Sequence, residues 1–236
     1  MAGVYLALGD SMSIDDYAGG PGRGAASLLH RNHNRDFPDW AGRDLAGKLG
    51  VRVLARDGAV AADVLQRQLP LITQAPALVT VTMGGNDLMS AYGDTAAART
   101  AIGRVTAVGE AILVRLRALC ADTTPIVVTT VYDPSDGTGE IPGSGLPPWP
   151  DGPALVREFN ASLVDLAGRH RVLVADVHAR FLGHGVAAGD PATVDARPAS
   201  RDLWFCGVIE PNAWGAHQIR AAWWQSLNDN GWHPPA

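Results

Sequence analysis

Cysteine is scarce: Cys120 and Cys206 are the two in a chain of 236 residues. They make no metal-ligand spacing and are too few for a disulfide framework, which reads as a chain of a reducing compartment. Long apolar runs are lacking as well. None approaches the roughly 18 residues that a membrane helix needs, so no membrane partner is expected. The N-terminus has no basic segment leading into an apolar one, and Asp10 interrupts the only candidate. No secretion signal is therefore expected, and the expected location is cytoplasmic. An excess of basic residues is the third absence. A net charge of −5 argues against nucleic acid or an anionic membrane surface as partner.

What the chain has is apolar content of 47%, enough at this length to bury one substantial core in a single domain spanning residues 1–236. Short apolar, β-branched runs alternate with longer helical patterns. The spacing predicts strands at Val4 to Leu8, Val51 to Ala55, Leu78 to Met83, Ile126 to Val131 and Val172 to Ala175. Helices are predicted at Asp39 to Lys48, Ala61 to Gln68, Thr95 to Cys120 and Pro153 to Arg169, with a last one from an Asn212 cap to about Asn228. In the third, Ile102, Val105, Val108, Ile112, Leu116 and Leu119 form one apolar stripe. Alternating strands and helices imply right-handed crossovers and a parallel sheet. The expected fold is a three-layer α/β/α sandwich around a five-stranded parallel sheet. Three stretches read as irregular: Ala18 to Asp36, the proline-rich Pro134 to Gly152, and Gly183 to Asp202. Each follows a strand, where loops over an active site belong.

The strand ends carry the chemistry. Gly9-Asp10-Ser11 follows the first predicted strand, Gly58 follows the second, and Gly84-Gly85-Asn86-Asp87 follows the third. Open α/β sheets build their sites at this carboxyl edge. Ser, Gly and Asn at three successive strand ends resemble the GDSL, or SGNH, hydrolase family, and the resemblance in element order covers nearly the whole chain. It implies a flavodoxin-like strand order of 2-1-3-4-5, with Ser11 as nucleophile. It also implies an oxyanion hole built from the Ser11 and Gly58 backbone N–H groups and the Asn86 amide. The family's last block carries an Asp and, three residues on, a His ahead of the final helix. Here that place reads Gly207-Val208-Ile209-Glu210-Pro211-Asn212, with Glu210 at the His position and Gly207 at the Asp position.

A serine hydroxyl needs a positioned base and a stabilised oxyanion to act as a nucleophile. Glu210 is the first candidate base. A glutamate gains no positive charge on taking the proton, so it needs no carboxylate behind it. A histidine supplied by another loop is the second, with His184 best placed and His178 next, while His217 lies inside the last helix. Asp10 and Asp87 read as turn-holding residues, Asp15 and Asp16 as solvated or capping, and His30 and His33 as surface histidines. Trp223 and Trp224 read as core, and Trp149 in the proline-rich loop as facing a substrate. The expected function is hydrolysis of a carboxylic ester, an acyl or acetyl ester of a small molecule or sugar, without cofactor or metal. The rival readings are an acyltransferase on the same scaffold and a ligand-binding protein without catalysis.

Overall fold

The computed structural model describes residues 3–193 and 200–234. Its centre is a parallel sheet of strands β1 (Val4–Leu8), β2 (Gly50–Val53), β3 (Leu78–Val81), β4 (Ile126–Thr129) and β5 (Leu173–Ala175). Their order is β2-β1-β3-β4-β5, the doubly wound arrangement expected. Side chains of β1 alternate between faces. Leu6 and Leu8 enter one core, and Tyr5 and Ala7 the other. The first core lies under α4 (Thr95–Leu119) and α5 (Gly152–His170), and the second under α1 (Ala25–His30) and α7 (Ala213–Asp229). The apolar stripe of α4 faces inward through Ile102, Val105, Ile112 and Leu116, while Leu119 at its end is exposed.

Three expectations need correction. No helix forms over residues 39–48, where a single 3-10 turn, Pro38–Trp40, is followed by turns. Gly42 and Gly47 both take positive φ, near +78° and +77°, and left-handed residues end a right-handed helix rather than extend it. Conversely, the stretch read as irregular at residues 18–36 contains α1. Strand β2 also stops short of Ala55, because the Leu54 and Ala55 amides share one acceptor, the Ala7 carbonyl. The chain therefore leaves the ladder two residues early. The expected helix at 61–68 exists in mixed form: α2 (Ala61–Asp63) runs into a π-helical turn, Val64–Gln68. Part of the third loop expectation, residues 194–199 of Gly183 to Asp202, lies outside the described residues.

Short elements at the carboxyl edge complete the frame. These are a 3-10 turn at Ser11–Ser13, α3 (Gly85–Met89), α6 (Val177–Phe181) and an antiparallel hairpin of β6 (Phe205–Cys206) and β7 (Glu210–Pro211). The entry to α3 is fixed by Gly84, at φ +98°, where an added Cβ would stand 2.3 Å from Phe159 Cζ. Phe159 is buried in α5 and has no room to withdraw. Gly84→Ala therefore combines backbone strain with overpacking and should cost about 2–4 kcal/mol in urea unfolding. A loss below about 0.5 kcal/mol, the range of an unconstrained surface change, would contradict this packing.

Candidate active site

The turn after β1 is held from both sides. The Asp10 amide donates to Thr82 Oγ1 at 3.0 Å, and the Asp10 carboxylate accepts from the Met12 amide at 3.1 Å. Gln68 from the π-helical turn clamps Gly9 through its backbone N–H and carbonyl, both at 2.8 Å. Ser11 is thus presented on a rigid turn at the head of the sheet. Asp10 acts as the cap of that turn, and its burial raises its pKa to about 6.

The loops after β2 and β3 are tied together. Asn86 does not cap its own helix: its Nδ2 donates to the Ala59 carbonyl at 3.0 Å. Asp87 beside it accepts from the Ala61 amide at 3.0 Å, so α3 and the start of α2 are braced by adjacent residues. An amide nitrogen carries two hydrogens, so Asn86 keeps one N–H beyond the bond to Ala59. Ser11 and Asn86 line one cleft. Gly58, in the exposed turn just before Ala59, is not among its lining residues.

Glu210 reaches the same cleft from the opposite side, on β7 across from Cys206. The Ser11 hydroxyl lies close enough to favour the ionised Glu210 carboxyl, yet Oε2 is buried without a closed hydrogen bond. Burial is the larger influence, with the charges of Asp57 and Asp10 adding to it, and together they raise the Glu210 pKa to about 7. No histidine lines the cleft. His184 stacks on Trp204 at 3.4 Å and contacts the Asp202 carbonyl through Nδ1 at 2.8 Å. His178 sits at the start of α6, its amide bonded to Thr130 Oγ1 at 2.9 Å. His217 is interior, stacked on Phe37 and accepting from the buried Arg220, and burial lowers its pKa to about 3. His178, His184 and His217 are not among the residues that line the cleft.

Asp15 accepts from the Gly22 and Gly24 amides, both at 2.8 Å, and so braces the entry to α1. Among the described residues, no group of three or more His, Cys, Asp or Glu is placed to hold a metal ion. Trp223 is fully buried and donates to Thr129 Oγ1 at 2.8 Å. Trp149 lines the cleft and packs on Tyr92, 5.0 Å between centroids.

The cleft encloses about 770 Å³ of atom-free space, its open mouth included. Its walls are mostly apolar: Met12 from the first turn, Leu88 and Met89 from α3 with Tyr92 just beyond it, Val131 just past β4, Ile141 and Trp149 from the proline-rich segment, and Val156 from α5. Tyr92 Oη donates to the Pro147 carbonyl at 3.0 Å and pins that segment over the site. Sequence reasoning missed Tyr132, also in the wall, although its place just past β4 is another strand end at the carboxyl edge.

A serine on the first strand end, an amide on the third and a carboxyl on the last hairpin lie together around an apolar cleft. The chain belongs to the GDSL-like lipase/acylhydrolase family, whose model matches residues 7–218. It is 27% identical over 208 residues to a lipase of Streptomyces rimosus, covering 79% of this chain and 74% of that protein. Among solved structures it resembles a phospholipase A1 from Streptomyces albidoflavus (TM-score 0.63, 23% identity, 97% of this chain and 99% of that one). It also resembles an acetylxylan esterase from Geobacillus stearothermophilus (TM-score 0.61, 16% identity, 99% and 96%). Catalytic mutants of that esterase replace a serine in one case and a histidine in another. No helix of the described residues is long and apolar enough to cross a membrane.

The raised Glu210 pKa has a consequence for stability. The folded state holds the Glu210 proton more tightly than the unfolded chain, whose carboxyl titrates near the ordinary value of 4.5. This favours folding below pH 4.5, and the advantage is lost as pH rises through about 7, where the ionised group is buried at a cost. Glu210→Gln removes that cost. With the pKa raised from 4.5 to about 7 and roughly 1.4 kcal/mol per pKa unit, the variant should exceed the wild type in stability by up to about 3.5 kcal/mol well above pH 7, and the gap should close toward pH 4.5. Urea titrations at pH 5 and pH 8 read this directly; a gap independent of pH would contradict the buried, ionisable Glu210.

Proposed function

We propose that this chain hydrolyses carboxylic esters with an apolar acyl group, using Ser11 as nucleophile and Glu210 as general base. The observation that carries the reading is the Glu210 carboxyl beside the Ser11 hydroxyl, raised by burial to about 7, in a cleft that no histidine lines. A base works best with a pKa near the working pH, and an ordinary glutamate near 4.3 falls well short of that. Burial supplies the difference. The same shift favours an enzyme over a ligand-binding protein, since a binding site gains nothing from a carboxyl poised between its two forms.

In the first step Glu210 takes the Ser11 proton as Oγ bonds to the ester carbonyl carbon. The electron pair moves onto the carbonyl oxygen. The free N–H of Asn86 and the backbone N–H groups of Ser11 and Gly58 receive that charge. Gly58 is not among the cleft-lining residues; what supports its inclusion is that it adjoins Ala59, whose carbonyl Asn86 holds. Collapse of the tetrahedral centre breaks the bond to the alcohol oxygen, which takes the proton back from Glu210. Water then repeats the sequence on the acyl-Ser11 ester, and the carboxylic acid leaves. Protonated Glu210 is neutral, so the step separates no new charge pair, and a carboxylate behind the base has nothing to stabilise. Gly207 at the family's Asp position is consistent with this.

The apolar walls support acyl groups longer than acetyl. Each methylene buried contributes about 0.8 kcal/mol, roughly fourfold in kcat/KM. Across p-nitrophenyl esters, kcat/KM should rise severalfold per methylene from acetate until the cleft is filled; a maximum at acetate would overturn the acyl-chain reading. Ser11→Ala should abolish covalent labelling by a fluorophosphonate probe, whereas labelling that persists would remove Ser11 from the role. Asn86→Ala should lower kcat by about 100- to 1,000-fold with KM little changed, as for loss of an oxyanion donor. Near-normal turnover would leave Asn86 with only its bond to Ala59.

A further inference from the structure

Glu210 sits on one of the smallest elements of the fold. The β6–β7 hairpin has two residues per strand, and its turn runs through Gly207 and Val208, at φ +52° and +81°. A β-branched residue at positive φ is a strained one, and such strain persists only where neighbours over-determine the backbone. Two bonds come from the preceding loop. The Val208 amide donates to the Pro191 carbonyl at 2.6 Å, and the Gly207 amide to the Thr193 carbonyl at 3.2 Å. The Asn212 side chain adds bonds to the Leu203 and Phe205 carbonyls, on the sides of the hairpin remote from the turn.

These bonds leave Ile209, the residue that leads directly into Glu210. Its carbonyl is taken by Tyr132, whose Oη donates to it at 2.9 Å. Tyr132 is itself immobilised. Its ring stacks on Phe181 at 5.0 Å and meets Phe205 of β6 edge-on at 4.9 Å, and it is buried in the cleft wall. The ring contact holds one strand of the hairpin and the hydroxyl holds the approach to the other.

We infer that Tyr132 is the positioning residue of the Glu210 base, its hydroxyl fixing the Ile209 carbonyl so that the Glu210 carboxyl stays buried beside Ser11. This inference rests on Glu210 being the base. Tyr132 reaches no reacting atom in this role and acts only through the hairpin. The groups facing Glu210 are Ser11 and Asp10 from the first turn, Asp57 from the loop after β2, Tyr17 from the loop after Ser11, Tyr132 from the end of β4, and Cys206 across the hairpin on β6. The carboxylates among them raise its pKa, and burial raises it most. Freeing the hairpin admits water to Glu210 and stabilises its ionised form. The pKa of the base then falls, even though both neighbouring carboxylates remain.

Tyr132→Phe keeps the ring contacts and deletes only the hydroxyl, so folding is preserved, as a thermal melt would verify. Its kcat on a p-nitrophenyl ester should fall about tenfold, since small misplacement of a catalytic group is costly. The acid limb of its pH–rate profile should also move to lower pH by at least about half a unit. In the Glu210→Gln background the same change should alter the residual rate less than twofold, because two residues acting through one group are not additive. An unmoved acid limb in Tyr132→Phe, or an equal loss in both backgrounds, would overturn the inference. A Glu210→Gln variant with full activity would instead overturn the assignment of the base, so the two failures are distinguishable.

Discussion

Burial of one carboxyl group among other carboxylates is the constraint on which the account depends. Glu210 is removed from water by the hairpin that carries it, and Asp10 and Asp57 face it without a counter-charge among the groups that shift it. Each of these effects opposes ionisation. The result is a glutamate that titrates where a histidine ordinarily does. A buried carboxyl without a counter-charge is expensive for a fold, and under the proposed mechanism the proton it exchanges with Ser11 is the one the reaction uses.

The fold brings these groups together by a simple device. In a parallel sheet every strand ends at the same edge, so the turns after β1, β2, β3 and β4 meet there whatever lies between them in sequence. Ser11, the loop of Gly58, Asn86 and Tyr132 occupy those four turns, and Asn86 and Asp87 lock the second turn to the third. The fifth contribution comes from outside the sheet. Glu210 rides on a small hairpin just before α7, its backbone approach held by Tyr132. Precision at that point comes from a hydrogen bond and two ring contacts, because two-residue strands supply little of their own.

Most of the sheet was legible in the sequence because β1, β3 and β4 are buried on both faces, while the edge strand β2 is largely exposed. These three read as short, mostly apolar runs rich in β-branched residues, and the α4 stripe declared one buried side. The helix expected at residues 39–48 failed for a local reason, since two glycines in left-handed conformation outweigh an apolar pattern of that length. At the site, Ser11 and Asn86 were visible as strand-end residues, and Glu210 by its position ahead of the Asn212 cap. His184 was a reasonable rival in sequence, but its partner is Trp204, a long-range contact that no spacing reveals. The raised pKa of Glu210 was equally invisible. It arises from burial and from Asp10 and Asp57, which lie far away along the chain. Tyr132 escaped notice because its role passes through a backbone carbonyl, and its side chain type gives no sign of that.

The central claim is that one carboxyl, Glu210, is the group whose deprotonation turns activity on. Titrating Glu210 by carbon-13 NMR of carboxyl-labelled glutamate, assigned by the signal missing in Glu210→Gln, and comparing it with the acid limb of kcat/KM tests this most directly. The account predicts that the signal and the limb share one midpoint at about pH 7. A Glu210 signal titrating in the ordinary carboxylate range, near pH 4.5, while activity still rises near neutrality, would contradict it.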